Sequence, residues 1–404
     1  MTDFVKPATT SVPRPRACPF DPPPEYRALQ EHEPVARVTL PTGATAWALT
    51  RVGDIRQMLS DSRFSSDRRN PGYPVLAEEQ RAVADDFTPS LIGMDPPEHT
   101  RARRAVANEF TVRQVRLLAP RIQEIVDERI AVVLDSPRPV DLVETLALPV
   151  PSLVTCELLG VPFGDHAFFQ DRTTRLVRRT TPVPERFAAF TELRTYLDDL
   201  VAAKEKEPTE DLLGRQVVRQ RQESGVVDRE GLSSMAFLML VGGYETTANM
   251  ISTGILALLV HPEQLALITE DPSRTPDAVE ELLRYLSVAE FATSRVATAD
   301  VEIGGVLVRA GEGVVPLDCV ANRDPSVFER PDELDVSRGR RNHIAFGYGQ
   351  HQCIGQNLAR LELRIVFDTL FQRIPGLRLA EPVDALPFKD DANIYGLDRL
   401  PVTW

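Results

Sequence analysis

The 404-residue sequence has little lysine and no excess of positive charge. Only four of its 46 basic residues are lysines, a bias that GC-rich coding is enough to explain. The 59 acidic residues bring the net charge to −13. Because the phosphates of a nucleic acid attract a positively charged surface, this balance argues against nonspecific nucleic-acid binding.

The sequence also lacks an obvious membrane segment. Its first twenty residues contain no apolar run of the kind found in a signal peptide or an anchor. The most apolar segment, Leu232–Val260, carries Glu245, Thr246, Thr247 and Asn249 near its centre, and a lipid-facing helix tolerates such residues poorly. We therefore expect a long buried helix in a soluble, cytoplasmic protein.

Cysteine pairs, repeats and linkers are absent as well. The spacing of the four cysteines excludes the C-x-x-C pattern of a zinc site or a redox dithiol: Cys18, Cys156, Cys319 and Cys353. The hydrophobic fraction of 43 % is enough to bury a large core, and no stretch looks like a linker. We expect one domain over residues 1–404, with an extended proline-rich segment over residues 1–20.

Residue patterning predicts a mainly α-helical protein with small β-sheets. Two short strands are expected in Val35–Thr50, around Pro41 and Gly43, and helical patterns dominate from Val52 to Tyr285. Alternating Val and Ile residues with paired glycines predict β-hairpins in Val296–Leu317. A β-like tail is expected from Leu377 to Trp404.

Cys353 stands out because of its local sequence. Apolar residues recur at helical spacing just after it: Ile354, Leu358, Leu361, Ile365, Val366 and Leu370. The cysteine therefore lies at the start of a helix, where free N–H groups lower a thiol pKa. Gly347, Gly349 and Gly355 let the backbone turn tightly and approach a flat ligand. These features favour a thiolate metal ligand without identifying the metal.

The segment Phe346-x-x-Gly349-x-x-x-Cys353-x-Gly355 resembles the haem-binding signature of the cytochrome P-450 superfamily, the haem-thiolate monooxygenases. The resemblance extends from the DPPEH segment at residues 95–99 to the C-terminal IYGLDRLPVTW, and it is greatest to actinobacterial members that oxidise macrolides, statins, sterols and xenobiotics. It implies haem b held by the Cys353 thiolate. It also implies a triangular prism-like domain in which a long central helix crosses the haem.

Glu281 and Arg284 lie three residues apart on a predicted helix and can form an ion pair. The resemblance implies that this pair is buried and joined to Arg338, so that the three residues hold the haem loop in place.

Glu245 and Thr246 interrupt an apolar helix and therefore need a reason to be there. One interpretation is a helix kink at which the threonine hydroxyl bonds back to a carbonyl. The resemblance implies another, an oxygen-binding groove beside Gly242 and Gly243. In that groove Thr246 directs protons to dioxygen and Glu245 supplies them.

The resemblance assigns the two haem propionates to four basic residues, His99, Arg103, Arg295 and His351, since charged groups of this kind grip carboxylates. It assigns the substrate pocket to a mostly apolar set, which predicts a bulky hydrophobic substrate: Phe87, Leu91, Ile92, Val177, Leu238, Val241, Val288, Phe291, Thr293 and Ile394. The arginine-rich segment Phe163–Phe187 is either a lid over this pocket or, more simply, a solvated helix pair.

The predicted function is the insertion of one oxygen atom from O2 into a macrolide or polyketide, a statin, a steroid or terpenoid, or a xenobiotic. No G-x-G-x-x-G loop for flavin or nicotinamide is present. We therefore expect a monomer that receives electrons from NAD(P)H through a separate reductase and a ferredoxin. The expected docking residues for the ferredoxin are Arg340, Arg341, Arg360 and Arg364.

Three other interpretations stay open at this point. A peroxide-driven peroxygenase would not need the Glu245–Thr246 pair, and a haem-binding sensor without enzymatic activity would carry an output module. The third alternative is a helical protein with a structural cysteine and no cofactor, which would leave the combination of these motifs unexplained.

Overall fold

Helices make up most of the computed structural model, which describes residues 10–77, 90–177, 181–339, 341–389 and 394–404. The helices before the central one are α1 (Pro24–His32), α2 (Val52–Ser60), α3 (Glu98–Ala107), α4 (Val112–Leu117), α5 (Ala119–Asp135), α6 (Pro149–Leu159), α7 (His166–Val177), α8 (Val183–Lys206) and α9 (Leu212–Ser224). The rest are α10 (Arg229–Val260), α11 (Pro262–Glu270), α12 (Thr275–Leu286), α13 (Asp318–Ala321) and α14 (Gln356–Arg373).

The strands are short and form small sheets at the side of the helices. They are β1 (Thr10–Ser11), β2 (Val35–Thr39), β3 (Thr45–Leu49), β4 (Phe64–Ser65), β5 (Val140–Asp141), β6 (Arg295–Ala297), β7 (Val301–Ile303), β8 (Val306–Val308), β9 (Gly313–Pro316), β10 (Arg378–Leu379) and β11 (Pro401–Thr403). The largest sheet has the order β1-β2-β3-β9-β6-β4, and β10-β11-β5 and β7-β8 form the others. The mainly α-helical fold with small sheets is thus confirmed.

The predicted β regions correspond to these strands. β2 and β3 form the antiparallel pair expected around Pro41 and Gly43, and β7 and β8 form a hairpin around Gly304 and Gly305. The tail contributes β10 and β11, while β1 pairs in parallel with β2. Part of the N-terminal segment therefore adds a strand to the main sheet.

The long buried helix predicted near the middle of the chain is α10, which spans 32 residues, or about 48 Å. It begins after Asp228, whose carboxylate accepts a hydrogen bond from the Gly231 N–H at 2.9 Å. The helix packs against α6, α8, α12 and α14, so most of its residues beyond Leu232 are buried. Among the described helices none is by itself long and apolar enough to cross a membrane, whereas α10 and α11 taken together, bent by 105°, meet the length and composition criteria.

A buried ion-pair cluster connects α12 to the segment that leads into the Cys353 loop. Arg284 Nε and Nη2 both donate to the Glu281 carboxylate at 2.8 Å, and Arg338 Nε donates to the same carboxylate at 3.2 Å. Arg284 Nη1 also donates to the carbonyls of Asn322 and Pro331, at 2.9 and 2.8 Å. The side chains of Arg284 and Glu281 are 0 % and 1 % exposed, so these bonds are shielded from water. The three residues named from the sequence are therefore in contact.

Removing the carboxylate of Glu281 should be costly. Glu281→Ala leaves two buried guanidinium groups without their carboxylate, and we expect it to lower the free energy of unfolding by about 3–5 kcal/mol. The matched control is Glu333→Ala, which breaks an ion pair with Arg330 whose side chains are both 59 % exposed. That loss should stay below about 1 kcal/mol. Urea unfolding followed by circular dichroism measures both, and equal losses would contradict the structural role of Glu281.

Candidate functional site

Cys353 lies on a tightly turned loop directly before α14. Its N–H donates to the Phe346 carbonyl at 2.8 Å, which closes the loop. Gly347 and Gly349 have φ angles of +66° and +70°, in the left-handed region that favours glycine. At Gly349 a Cβ would also lie 2.6 Å from the carbonyl oxygen of Leu59, so no larger residue fits there. The loop shape therefore depends on its glycines and presents Cys353 at the mouth of α14.

The electrostatic environment of the Cys353 thiol has opposing components. Burial raises its pKa, whereas the N–H groups of Gly355 and Gln356 and the charges of Arg103 and Arg360 lower it; the net result lies above the usual value. The N–H groups at the helix terminus thus lower the thiol pKa as expected, but burial outweighs them. The residue nevertheless keeps an accessible surface. A metal cation bound to the sulfur would stabilise the thiolate, which the protein groups alone do not, because a coordinated thiol is deprotonated.

Glycines leave open space beside α10 and beside Cys353. A Cβ at Gly242 would meet no atom within 4 Å, and one at Gly243 would meet only Thr155 Oγ1 at 3.8 Å. A Cβ at Gly355 would have the Cys353 sulfur as its nearest neighbour, at 4.0 Å. Side chains at these positions would occupy space next to the thiol and the central helix. The backbone at these three positions therefore borders open space that a ligand can occupy.

The rings of the two predicted histidines, His99 and His351, lie against each other with centroids 3.9 Å apart and planes tilted by 33°. His351 Nε2 lies 3.1 Å from Ser66 Oγ. His99 is 1 % exposed, and neither of its ring nitrogens has a hydrogen-bond partner within the described chain. A buried imidazole without partners is unusual, since such groups normally find a donor or an acceptor. An additional group at this position would provide one.

Two arginines complete this cluster. Burial, followed by the charges of Arg295, His99 and Arg103, lowers the pKa of His351 to about 3. Burial and the two arginines also lower the pKa of His99, and burial lowers that of Arg295. Arg103 Nη2 donates to the Gln352 carbonyl at 2.6 Å, directly beside Cys353. The structure thus brings together all four basic residues named from the sequence, and their mutual repulsion favours an anionic ligand such as a carboxylate.

On α10, Thr246 Oγ1 donates to the Gly242 carbonyl at 2.7 Å, the back-bond considered as one interpretation of this segment. Glu245 lies 3.6 Å from Lys389 Nζ, and that lysine is only 8 % exposed. Lys389 Nζ also donates to Asn249 Oδ1 at 3.2 Å. The acid is therefore held by a buried cation from the C-terminal part of the chain.

Sequence reasoning missed Lys389 and also Glu280. Glu280 accepts a hydrogen bond from Arg360 Nη2 at 3.1 Å, and its carboxylate lies 3.0 Å from His343 Nε2. These contacts join residues more than sixty positions apart, so no local spacing could reveal them. For Lys389 one signal was available, because it is among only four lysines in the sequence.

The predicted pocket residues are placed as follows. Phe87 and the side chain of Val177 lie outside the described residues, and Ile92 is 38 % exposed. The partly or fully buried ones are Leu91, Leu238, Val241, Val288, Phe291, Thr293 and Ile394. The stretches around Val288 and Ile394 are neighbours, since Ala289 forms an antiparallel bridge with Ile394.

Comparison with known proteins agrees with this geometry. Residues 189–375 match the sequence profile described as cytochrome P-450. Pentalenic acid synthase of Streptomyces avermitilis is 47 % identical over 397 residues and 98 % of both chains. Vitamin D3 dihydroxylase of Streptomyces griseolus is 45 % identical over 409 residues and 100 % of both chains.

The crystal structure of cytochrome P-450 MoxA from Nonomuraea recticatena matches with a TM-score of 0.95 and 55 % identity, over 98 % of this chain and 99 % of that chain. The cytochrome P-450 fold predicted from the sequence is therefore confirmed. Sequence identity this high over nearly the full length also shows membership of the family. This chain belongs to the cytochrome P-450 family of monooxygenases, which bind haem b through a cysteine thiolate.

Proposed function

We propose that Cys353 is the axial ligand of a haem with which this chain inserts one oxygen atom from O2 into a bulky hydrophobic small molecule. The observation that carries the proposal is the exposed residue Cys353 at the mouth of α14, bordered by the glycine backbone. A haem placed there brings two carboxylates, and the partnerless nitrogens of buried His99 are suited to receive one. The residues present therefore fit the cofactor.

In this proposal each residue has a separate task. When bound, the haem supplies the oxidising chemistry, and the electron-rich thiolate ligand favours cleavage of the O–O bond. His99, Arg103, Arg295 and His351 hold the propionates, whose negative charge relieves the repulsion within the basic cluster. Two sets of residues would contact the haem through their backbone: Phe346, Gly347 and Gly349 in the loop, and the glycines Gly242, Gly243 and Gly355.

Proton delivery falls to α10. The carboxylate of Glu245 exchanges protons, and the hydroxyl of Thr246 lies one residue further along the helix. Lys389 holds the Glu245 carboxylate in place from the side of the C-terminal segment. The Thr246 back-bond to Gly242 is compatible with this role, because a hydroxyl that donates to a carbonyl can still accept a hydrogen bond.

Two observations support a proposal for the substrate: the names of the relatives and the apolar residues expected to line the pocket. The two relatives reported above are named for vitamin D3 and pentalenic acid. We infer a substrate of comparable character, namely a steroid or terpenoid, a macrolide or polyketide, a statin or a xenobiotic. Buried Val288 and Phe291 support an apolar pocket wall.

A separate ferredoxin, reduced by its own reductase from NAD(P)H, is the proposed electron donor. Among the expected docking residues, Arg340 lies outside the described ones. Arg360 is paired with buried Glu280 and only 17 % exposed, so it supports the loop and contributes little to an outer surface. Arg341 and Arg364 are 70 % and 52 % exposed and can contact an acidic partner, although Arg341 Nε also lies 3.6 Å from the Glu280 carboxylate. The monomeric state and the cytoplasmic location stay predictions.

The first test concerns the ligand. Cys353→Ser should remove the strongly red-shifted Soret band that a thiolate-ligated haem shows when it is reduced under carbon monoxide, whereas the wild type shows it. Cys18→Ser is the matched control, since Cys18 is a partly exposed cysteine with no assigned role, and should keep the band. A red-shifted band that persists in Cys353→Ser would overturn the assignment.

The second test concerns the relay. A panel of vitamin D3, pentalenic acid, a macrolide and a statin is screened for the spectral shift caused by loss of the distal water, and a hit serves as substrate. Thr246→Ala should lower product formed per NAD(P)H consumed by roughly tenfold or more, with hydrogen peroxide released instead. Thr253→Ala removes a similar back-bond further along α10 and should not uncouple the reaction.

Thr246→Ser retains the hydroxyl and should restore most of the coupling. Full activity with hydrogen peroxide but none with ferredoxin and NAD(P)H in the wild type would favour the peroxygenase instead.

The third test concerns docking. The double variant Arg341→Glu and Arg364→Glu should raise the KM for ferredoxin by roughly tenfold at low ionic strength, and the difference should shrink as salt screens the charges. Arg399→Glu reverses a charge on the partly exposed arginine that pairs with Glu381 next to β11 and should leave this KM unchanged. Equal effects of the two reversals would contradict a docking surface beside the Cys353 loop.

A further inference from the structure

Arg16, in the N-terminal segment between β1 and α1, is almost completely buried, with a side chain that is 3 % exposed. Its guanidinium group donates to the carbonyls of Leu286 and Ser287, at 3.2 and 3.4 Å, and to Glu290 Oε1 at 2.8 Å. One side chain therefore contacts the end of α12 and the segment that follows it. These contacts join residues at least 270 positions apart.

The same guanidinium group also contacts the C-terminal segment. Its central carbon lies 3.9 Å from the centre of the Tyr395 ring. The Tyr395 N–H in turn donates to the Val288 carbonyl at 2.7 Å, next to the bridge between Ala289 and Ile394. Arg16 thus lies on the joint between the two stretches that contain Val288, Phe291, Thr293 and Ile394, which the proposed function places in the substrate pocket.

The backbone is strained at Ser287, just before the first stretch, and at Phe291 within it. Ser287 and Phe291 have φ angles of +44° and +60°, which residues other than glycine rarely adopt. Such residues cost about 1–3 kcal/mol each and persist only where the surroundings hold them. The bonds from Arg16 to the Ser287 carbonyl and to Glu290 lie within this stretch. They hold a conformation that the chain does not favour by itself.

We propose that Arg16 is a specificity-determining positioning residue, which sets the shape of the substrate-facing wall formed by residues 288–293 and Ile394 without touching the substrate. This inference rests on the proposed function. A planar guanidinium can donate to three acceptors and stack on an aromatic ring at the same time, which the ammonium of a lysine cannot do. Arg16→Lys therefore keeps the charge opposite Glu290 but loosens the wall.

The experiment compares a small and a bulky haem ligand on the ferric holoenzyme. Imidazole binds next to the iron and probes only the haem, whereas clotrimazole, an imidazole with three aryl rings, also contacts the pocket wall. In Arg16→Lys and Arg16→Met the spectral dissociation constant for clotrimazole should change by about tenfold, the usual effect of a changed fit in an apolar pocket. The constant for imidazole should stay the same.

Arg27→Met is the matched control. Arg27 lies on α1 and, like Arg16, forms an ion pair with a distant carboxylate, here through two bonds to Asp332, but it does not contact the wall. It should change neither constant. If Arg16→Met does not fold, Arg16→Lys still decides the question, because it retains the ion pair with Glu290.

An unchanged clotrimazole constant in the Arg16 variants overturns the inference, as does an equal change for imidazole or for Arg27→Met. The carbon monoxide spectrum of the reduced protein separates this failure from a failure of the proposed function. A wild type without the red-shifted band refutes the haem-thiolate assignment itself. A wild type with the band and Arg16 variants with unaltered clotrimazole binding refute only the role of Arg16.

Discussion

Two neighbouring buried carboxylates on one turn of α12 hold the Cys353 loop from both sides. Glu281 accepts hydrogen bonds from Arg284 and from Arg338, which precedes the loop. Glu280 holds His343 at the start of the loop and Arg360 on α14 beyond it. Although burial raises the pKa of Glu280, the hydrogen bonds from His343 and Arg360 hold it at about 2, so the carboxylate stays ionised. The position of the thiol thus depends on ion pairs that are shielded from water.

The pKa shifts of the other site residues favour a ligand that carries both positive and negative charge. The thiol of Cys353 has a raised pKa in the protein alone, and the cluster around His99 and His351 has depressed pKa values. A metal cation on the sulfur would stabilise the thiolate, and carboxylates beside the imidazoles and Arg295 would stabilise the positive charges. An iron porphyrin with two propionates would supply both the cation and the carboxylates.

The C-terminal segment links the chemistry to the proposed substrate wall. Lys389 reaches Glu245 on α10, and Tyr395 six residues later joins the stretch around Val288. Arg16 in turn connects Tyr395 to the N-terminal segment between β1 and α1. The N-terminal, central and C-terminal parts of the chain meet at this point, so a substitution in any of them can alter the same wall.

Local sequence was sufficient for features that depend on residues close together in the chain. The helical spacing after Cys353 predicted α14, the apolar run with Glu245 and Thr246 predicted the buried helix α10, and paired glycines predicted the β7–β8 hairpin. Periodicity reports such elements because backbone geometry repeats over three or four residues in a helix and two in a strand. The resemblance to a family added the grouping of Glu281, Arg284 and Arg338.

Tertiary structure alone decided the rest. The sequence could not show that burial outweighs the helix terminus in the pKa of Cys353, because desolvation depends on atoms from distant segments. It could not show that Arg360 faces inward to Glu280, that Lys389 holds Glu245, or that Arg16 supports the segment after α12. Each of these contacts joins residues that are far apart along the chain, so no local sequence pattern relates them. The sequence by itself determined the helices, the Cys353 loop and which residues were candidates for holding a cofactor. Packing determined which charged groups surround those residues.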